Sequence, residues 1–135
     1  MPAETLHGSC LCGAIRYELR SPVESICHCH CRTCQKAHGS PFGTYAPVAR
    51  TDIQFTQGSS AVQAYQSSPS ARRLFCSICG SVLLWDNAAE FPDTVFLAVA
   101  TLDSSIPPPA QRHIHVSSKP SWHEIADRWP QSEFY

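Results

Sequence analysis

The sequence predicts an all-β fold, mainly β-strand with one or two short helices. In the clearest segment apolar and polar residues alternate at period two, and most other apolar segments are short and separated by Gly, Pro, Ser and Asn. In addition, seven of the eight cysteines lie in three tight clusters, which could stabilise a small β domain by binding metal. With 135 residues and 43% hydrophobic content, we expect residues 1–135 to form a single zinc-binding domain.

The first predicted strand covers residues 14–20, where Ile15, Tyr17 and Leu19 alternate with charged residues, as in a half-buried strand. Further short strands are predicted at 42–48, 52–56, 61–66, 72–76, 81–86 and 94–100. Residues 95–99 are apolar throughout, which predicts a central strand buried on both faces.

Two segments have helix signals. The first, at 33–38, should end at Gly39, because glycine readily takes the left-handed conformation that ends many helices. The second, at 122–128, follows Ser121-x-x-Glu124, in which both side chains can bind free backbone amides at a helix start. We therefore predict two short helices.

The cysteine clusters are Cys10-Leu-Cys12, Cys29-His-Cys31-Arg-Thr-Cys34 and Cys76-Ser-Ile-Cys79, with Cys27 as the eighth cysteine. The N-terminal residues show no secretory signal, so we expect a cytoplasmic protein with reduced thiols. A Cys-x-Cys disulfide would also close a small, strained ring. Zinc accepts such spacings, because a short turn with two cysteines supplies half of a tetrahedral set of ligands.

We expect one closed, structural zinc site at Cys10, Cys12, Cys76 and Cys79. A glycine follows Cys12 and Cys79, and its flexibility would let backbone amides turn toward the thiolates. The alternative is that these are buried free cysteines acting as small apolar residues.

The middle cluster supplies three thiols, Cys29, Cys31 and Cys34, which leaves a fourth metal position open, as in a catalytic zinc site. Such a site is suited to binding and deprotonating a small thiol. Three readings of the fourth position remain: it is open or filled by the guest thiol, it is filled by Cys27, or it is filled by a histidine from His28, His30, His38, His113, His115 and His123. Arg32 and Lys36 follow the ligands and either attract a carboxylate-bearing substrate or are simply solvated.

The charge pattern argues against other partners. The formal net charge is −1 and the longest basic run is Arg72-Arg73, so we expect no binding to nucleic acid. No apolar run approaches the roughly 20 residues that span a bilayer, so we expect no membrane partner. Exposed strands at a sheet edge would permit a homodimer.

The chain resembles the glutathione-dependent formaldehyde-activating enzymes, also called the GFA or centromere-protein-V domain family. The resemblance covers nearly the whole chain and rests on residues 8–18 (GSCLCGAIRYE), 29–36 (CHCRTCQK) with 39–42 (GSPF), 75–81 (FCSICGS) and 113–119 (HIHVSSK), followed by Trp122 and Asp127. Four motifs occur in the family's order, which makes the resemblance specific.

The resemblance implies stacked antiparallel sheets in a tent-like fold, with one zinc on Cys10, Cys12, Cys76 and Cys79 and a second, catalytic zinc on Cys29, Cys31 and Cys34. It also implies a carbon–sulfur lyase acting in reverse, which joins formaldehyde to glutathione as S-hydroxymethylglutathione. In this hypothesis glutathione sulfur occupies the open position while a donor polarises formaldehyde. Candidate donors are His38, Ser40 and Thr44, and candidate wall residues are Phe42, Trp122 and Trp129.

Two alternatives remain at this stage. One is a non-enzymatic, zinc-stabilised binding module. The other is a lyase or transferase that uses another small electrophile or another low-molecular-weight thiol, because the cysteines predict thiol activation without identifying the pocket that selects the electrophile.

Overall fold

The computed structural model describes residues 4–135, and its described part contains ten strands and one α-helix. Met1–Ala3, where the predicted signal-free N-terminus begins, lie outside the described residues. The elements are β1 (Leu6–Ser9), β2 (Arg16–Leu19), β3 (Ser25–Cys29), α1 (Arg32–His38), β4 (Gly43–Ala49), β5 (Ile53–Gln57), β6 (Val62–Gln66), β7 (Arg72–Cys76), β8 (Val82–Asp86), β9 (Thr94–Ala98) and β10 (Ala110–Ile114). The prediction of a mainly β fold is confirmed.

The strands form two sheets. A three-stranded sheet has the order β1-β2-β5, and a seven-stranded sheet has the order β10-β3-β4-β9-β8-β7-β6. The pairs are antiparallel except for β10 and β3, which run parallel. The stacked antiparallel sheets implied by the family resemblance are therefore present, with one parallel pair added at the β10 edge.

Strand β9 lies in the middle of the large sheet and is buried on both faces, as predicted. Val95 and Leu97 pack in an apolar cluster that also contains Tyr17 and Leu19 of the small sheet. Phe96 and Ala98 belong to a second cluster. Because successive side chains of a strand point to opposite faces, the large sheet separates two buried regions.

Helix α1 follows the predicted segment and ends at Gly39, which has φ 58° and whose amide bonds to the Gln35 carbonyl. The predicted helix at 122–128 is wrong, because this segment forms turns and irregular backbone. Its polar groups take tertiary partners instead: Lys119 Nζ donates to the His123 carbonyl at 2.6 Å, and Asp127 accepts from His113 at 2.9 Å. Such tertiary bonds compete with the local helix signal.

Strands β1, β3 and β10 were not predicted. They are four or five residues long, and β3 and β10 carry cysteines, histidines or other polar residues where β-branched side chains would mark a strand. Their pairing with neighbouring strands, rather than local preference, determines their conformation.

We expect the Leu97→Ala variant to lose about 2–5 kcal/mol of unfolding free energy, because Leu97 has 0% exposure and the substitution leaves a cavity between the sheets. Urea unfolding would measure this loss. Tyr65→Ala on β6 is the control: Tyr65 is 65% exposed, and its change should stay within about 0.5 kcal/mol. Equal losses in both variants would contradict the placement of Leu97 in the core.

Candidate functional site

The four cysteines predicted as a closed site come together. Cys10 and Cys12 lie just after β1, and Cys76 and Cys79 lie at the end of β7 and in the turn that follows. The four sulfur atoms all lie within 4.8 Å of one another, with 3.6 Å between Cys10 and Cys12 and 3.9 Å between Cys12 and Cys76. Tetrahedral zinc with bonds of about 2.3 Å places its sulfurs roughly 3.8 Å apart, so the cluster fits one zinc ion.

The two turns of this cluster share one geometry. Gly13 and Gly80 have φ angles of 79° and 81°, and each glycine amide donates to the carbonyl of the first cysteine of its turn, at 3.0 Å to Cys10 and 2.8 Å to Cys76. Backbone amides also point at the sulfurs: Ile15 N lies 3.3 Å from Cys10 Sγ and Cys79 N lies 3.5 Å from Cys76 Sγ. Such amides stabilise the negative charge of thiolates.

Cys79 has the clearest thiolate character of the four. Its Sγ lies 3.2 Å from the Ser81 hydroxyl, and this hydrogen bond, aided by the Ser81 amide, lowers the pKa of Cys79 to about 5. The cluster is therefore prepared to bind a cation near neutral pH.

The three cysteines of the middle cluster also converge. Cys29 ends β3, Cys31 precedes α1 and Cys34 lies in the first turn of α1, and their sulfurs lie within 4.8 Å of one another. Cys31 Sγ accepts from the Cys34 amide at 3.4 Å, and Thr33 Oγ1 lies 3.1 Å away. Hydrogen bonds from the Cys29 and Cys34 thiols, together with these groups, lower the pKa of Cys31.

Cys27 does not complete this cluster. It lies on the same face of β3 as Cys29, two residues along, but its sulfur is not among the mutually close sulfurs. Burial raises the pKa of Cys27 to about 11, which favours a neutral thiol. Within residues 4–135 no Cys, His, Asp or Glu joins the three cysteines as a fourth ligand.

The histidines considered for the fourth position have other partners or lie elsewhere. His28 donates from Nε2 to Gln111 at 2.8 Å and accepts at Nδ1 from Thr44 at 3.0 Å. His38 contacts the Tyr45 hydroxyl at 2.7 Å, and His123 packs against His30 and Phe42. His115 lines the cavity described below but is not part of the metal-ligand group.

His30 belongs to a buried relay behind β3. His113 donates from Nε2 to Asp127 at 2.9 Å, so its Nδ1 is left to accept from His30 Nε2 at 2.8 Å. The relay holds β3 against β10 and the C-terminal segment, on the side away from the thiol cluster.

A cavity of about 370 Å³ adjoins the middle cluster, within the size range of small-molecule sites. Cys27, Cys29, Cys31 and Cys34 form one part of its wall. The rest includes one carboxylate, Glu90, and five aromatic residues, Tyr45, Trp85, Phe91, Phe96 and Tyr135. The three-cysteine cluster therefore faces a space that a small molecule could enter.

Arg73 of β7 is the cationic side chain in this wall, and sequence reasoning missed it. Arg73 is 6% exposed, and its guanidinium donates to the Tyr45 hydroxyl at 3.0 Å and to Cys34 Sγ at 3.4 Å. In the sequence Arg72-Arg73 is a basic pair. The alternation of side chains in β7 places the two arginines on opposite faces of the strand, and this alternation is the signal that one of them points into the interior.

The other predicted site residues lie elsewhere. Ser40 donates to the Phe42 carbonyl at 2.7 Å, and neither Ser40, Thr44 nor His38 lines the cavity. The aromatic residues Phe42 and Trp129 pack on His28, whereas Trp122 is 72% exposed. Arg32 bonds to Gln35, Lys36 is exposed, and neither reaches the cavity.

The comparisons agree with the sequence motifs. Residues 5–118 match the model of a family described as "Glutathione-dependent formaldehyde-activating enzyme". A Halomonas elongata protein named "Putative glutathione-dependent formaldehyde-activating enzyme" is 35% identical over 133 residues, which cover 91% of this chain and 82% of that protein. The chain belongs to this family.

Two other similarities are more limited. A Schizosaccharomyces pombe protein named as an uncharacterized lyase is 33% identical over 76 residues, covering 56% of this chain and 53% of that protein. A crystal structure of a Rhodobacter sphaeroides protein has a TM-score of 0.61 at 24% identity, covering 75% of this chain and 91% of that one, and supports the fold. In the described part of this family member, no helix is both long and apolar enough to cross a membrane.

The two thiol environments predict different effects of single substitutions. We expect Cys76→Ser to lower the bound zinc by about one ion per chain and to lower the melting temperature, because Cys76 links the two turns of the four-cysteine cluster. Cys27→Ser should keep the zinc content of the unsubstituted protein, because Cys27 lies outside both clusters. Elemental analysis measures the zinc content. Loss of zinc in Cys27→Ser would instead make Cys27 the fourth ligand.

Proposed function

We propose that this protein is a zinc-dependent carbon–sulfur lyase-like enzyme that activates a small thiol such as glutathione for addition to formaldehyde or a related small electrophile. The observation that carries the proposal is a three-cysteine cluster in the wall of a small-molecule cavity, with no fourth ligand from residues 4–135. Family membership supports the same function. The product with glutathione and formaldehyde would be S-hydroxymethylglutathione.

The two clusters would hold zinc for different purposes. The four-cysteine cluster would be structural, because its ligands complete a tetrahedron. The cluster of Cys29, Cys31 and Cys34 leaves one coordination position, where zinc would lower the pKa of a guest thiol.

The residues around the cavity would serve the addition in three ways. The aromatic wall limits access of water and holds the reactants close together, which supplies much of the rate gain when the uncatalysed addition is already easy. In the reaction the thiolate sulfur forms a bond to the carbonyl carbon, and the carbonyl π pair moves to oxygen, which takes a proton. His115 lines the cavity and would supply that proton from its ring.

His115 also has an unusual backbone. Its φ of 55° is the left-handed conformation, and within residues 4–135 it is the non-glycine residue with positive φ. Such conformations cost roughly 1–3 kcal/mol and cluster at functional sites. The strain supports a role for the side chain that this backbone presents to the cavity.

We further propose that the protein acts in the cytoplasm as a single domain on small-molecule substrates. Zinc binding by the two cysteine clusters requires reduced thiols, which persist in a reducing compartment. A non-enzymatic binding module is the alternative, and it would use the four-cysteine cluster without needing a thiol-lined cavity.

Cobalt substitution would test thiol binding directly. We expect two metal ions per chain, and we expect glutathione to change the thiolate-to-cobalt absorption of the three-cysteine cluster, because the guest sulfur becomes a fourth ligand. Cys34→Ser should abolish this change. A spectrum that does not change when glutathione is added would contradict the interpretation that the three-cysteine cluster has an open coordination position.

The activity test follows the rate of S-hydroxymethylglutathione formation by NMR exchange between formaldehyde and glutathione. We expect acceleration by the zinc-loaded protein, and loss of most of it in Cys34→Ser. Lys36→Ala is the matched control on the same helix, because Lys36 is exposed and outside the cavity; its rate should be unchanged. No acceleration over the spontaneous reaction would exclude this activity and leave the thiol site intact.

A further inference from the structure

Arg72 and Arg73 are neighbours in sequence but have different ionic environments. Arg72 is half-exposed and lies 2.9 Å from Asp86, which also binds Arg50 at 2.6 Å. Arg73 is 6% exposed, and among residues 4–135 no carboxylate oxygen lies within 4.0 Å of its guanidinium. A buried cation without a counter-charge is strongly destabilising, so Arg73 requires a negatively charged partner.

The hydroxyl of Tyr45 is not that partner. Arginine can only donate, so the Tyr45 oxygen accepts from Arg73 at 3.0 Å and its own hydrogen goes to His38 Nε2 at 2.7 Å. Burial raises the pKa of Tyr45, which keeps the phenol protonated. Tyr45 therefore holds Arg73 in place without balancing its charge.

The remaining hydrogen-bond acceptor of Arg73 is a sulfur. Its second terminal nitrogen donates to Cys34 Sγ at 3.4 Å, and Cys34 belongs to the cluster with Cys29 and Cys31. The thiolate charge that this cluster would carry when it binds a metal ion is therefore the counter-charge available to Arg73. Both groups are buried, Cys29 at 7% and Cys34 at 4% exposure, so the attraction is only weakly screened.

The four-cysteine cluster has no such cation. Among the described residues no Lys or Arg side chain hydrogen-bonds to its sulfurs, which instead receive backbone amides, and Cys12 is exposed to solvent. Water and amides can offset the charge of a closed site. A buried cluster that gains a fourth thiolate from a guest acquires one more negative charge with little water to stabilise it.

We propose that Arg73 is the specificity-determining residue that lets the three-cysteine cluster accept an anionic fourth ligand, the thiolate of a small thiol. Its fixed positive charge lowers the net negative charge of the cluster with the guest bound, and so favours anionic guests over neutral ones. The inference rests on the proposed function and deepens it, since it concerns the choice of the guest ligand and makes no use of formaldehyde. Arg73 is a positioning residue that acts through Cys34 and the cluster.

The frame around Arg73 is rigid enough for this role. Arg73 pairs with Tyr65 on one side and with Trp85 on the other in the large sheet, and Trp85 also lines the cavity. Its hydrogen bonds to Tyr45 and Cys34 fix the guanidinium from two elements, β4 and α1. The charge is therefore held at one position in the wall.

The test compares charged and neutral ligands of the cobalt-substituted protein by titration of its visible absorption. The probes are 2-mercaptoethanol, azide and neutral imidazole. For Arg73→Gln we expect the affinity for 2-mercaptoethanol and azide to fall at least about tenfold, because the buried counter-charge is lost, while imidazole changes less than about threefold. Arg73→Lys keeps the charge and should retain most of the preference for anions.

Arg72→Gln is the matched control, since it removes an adjacent charge of the same strand without touching the cavity; all three affinities should be unchanged. Metal content and melting curves identify any variant that does not fold. In that event Arg73→Lys decides, because the proposal requires this variant to keep the anion preference of the unsubstituted protein, and equal losses for charged and neutral probes would contradict it.

Equal losses for charged and neutral probes in Arg73→Gln would overturn the proposal and make Arg73 a purely structural residue. Failure of the proposed enzyme activity has a different signature: anion selectivity that depends on Arg73 would persist while formaldehyde addition is not accelerated. The two hypotheses are therefore separable with the same protein preparations.

Discussion

The two sheets of the fold meet at the four-cysteine cluster as well as in the apolar core between them. Cys10 and Cys12 follow β1 of the three-stranded sheet, whereas Cys76 ends β7 of the seven-stranded sheet and Cys79 lies in the turn after it, and the four sulfurs meet at tetrahedral spacing. A small sheet of short strands is marginal by itself. A metal ion at this point would join the sheets at one end, while Tyr17 and Leu19 pack against the large sheet. The geometry of the two glycine turns is suited to metal binding at this point, because backbone amides of these turns point at the sulfurs.

The alternation of side chains in the large sheet then separates structure from chemistry. On β7, Cys76 packs into the apolar cluster between the sheets, whereas Arg73, three residues earlier, points to the opposite face. On β3, Cys27 and Cys29 point to that same opposite face. Two sets of thiols in a chain of 135 residues are thereby kept apart, and each acquires its own electrostatic surroundings. The first set receives backbone amides and has one exposed member, Cys12; the second lies beside a cation and a cavity.

The parts of this arrangement that the sequence predicts are those encoded locally. Cysteines two or three residues apart must lie close together, so the three-cysteine cluster and each half of the four-cysteine cluster could be predicted, and β7 and β9 are marked by their patterns. The pairing of the two halves is not local and is suggested, apart from the family resemblance, only by the glycine that follows Cys12 and Cys79. The cavity could not be predicted, because Arg73, Tyr45 and Phe91 come from segments that are distant in sequence. No single segment determines how these segments are arranged around the cavity. The helix expected at 122–128 failed for a related reason: its capping signal is local, but Asp127 bonds to His113 across the fold. Polar side chains that find distant partners weaken local predictions.

The same ligand type can serve stability at one cluster and chemistry at the other because the surroundings differ. A complete tetrahedron would need no further ligand, and amides such as that of Ile15 can stabilise its thiolates. In the proposed function an incomplete one would gain negative charge when a thiolate enters beside sulfurs that are largely buried. Arg73 would lower the cost of that charge, at a position that Tyr45 and Trp85 hold in place. In this proposal the sulfurs would determine which metal is bound, whereas the cation and the aromatic wall would determine which guest the site accepts.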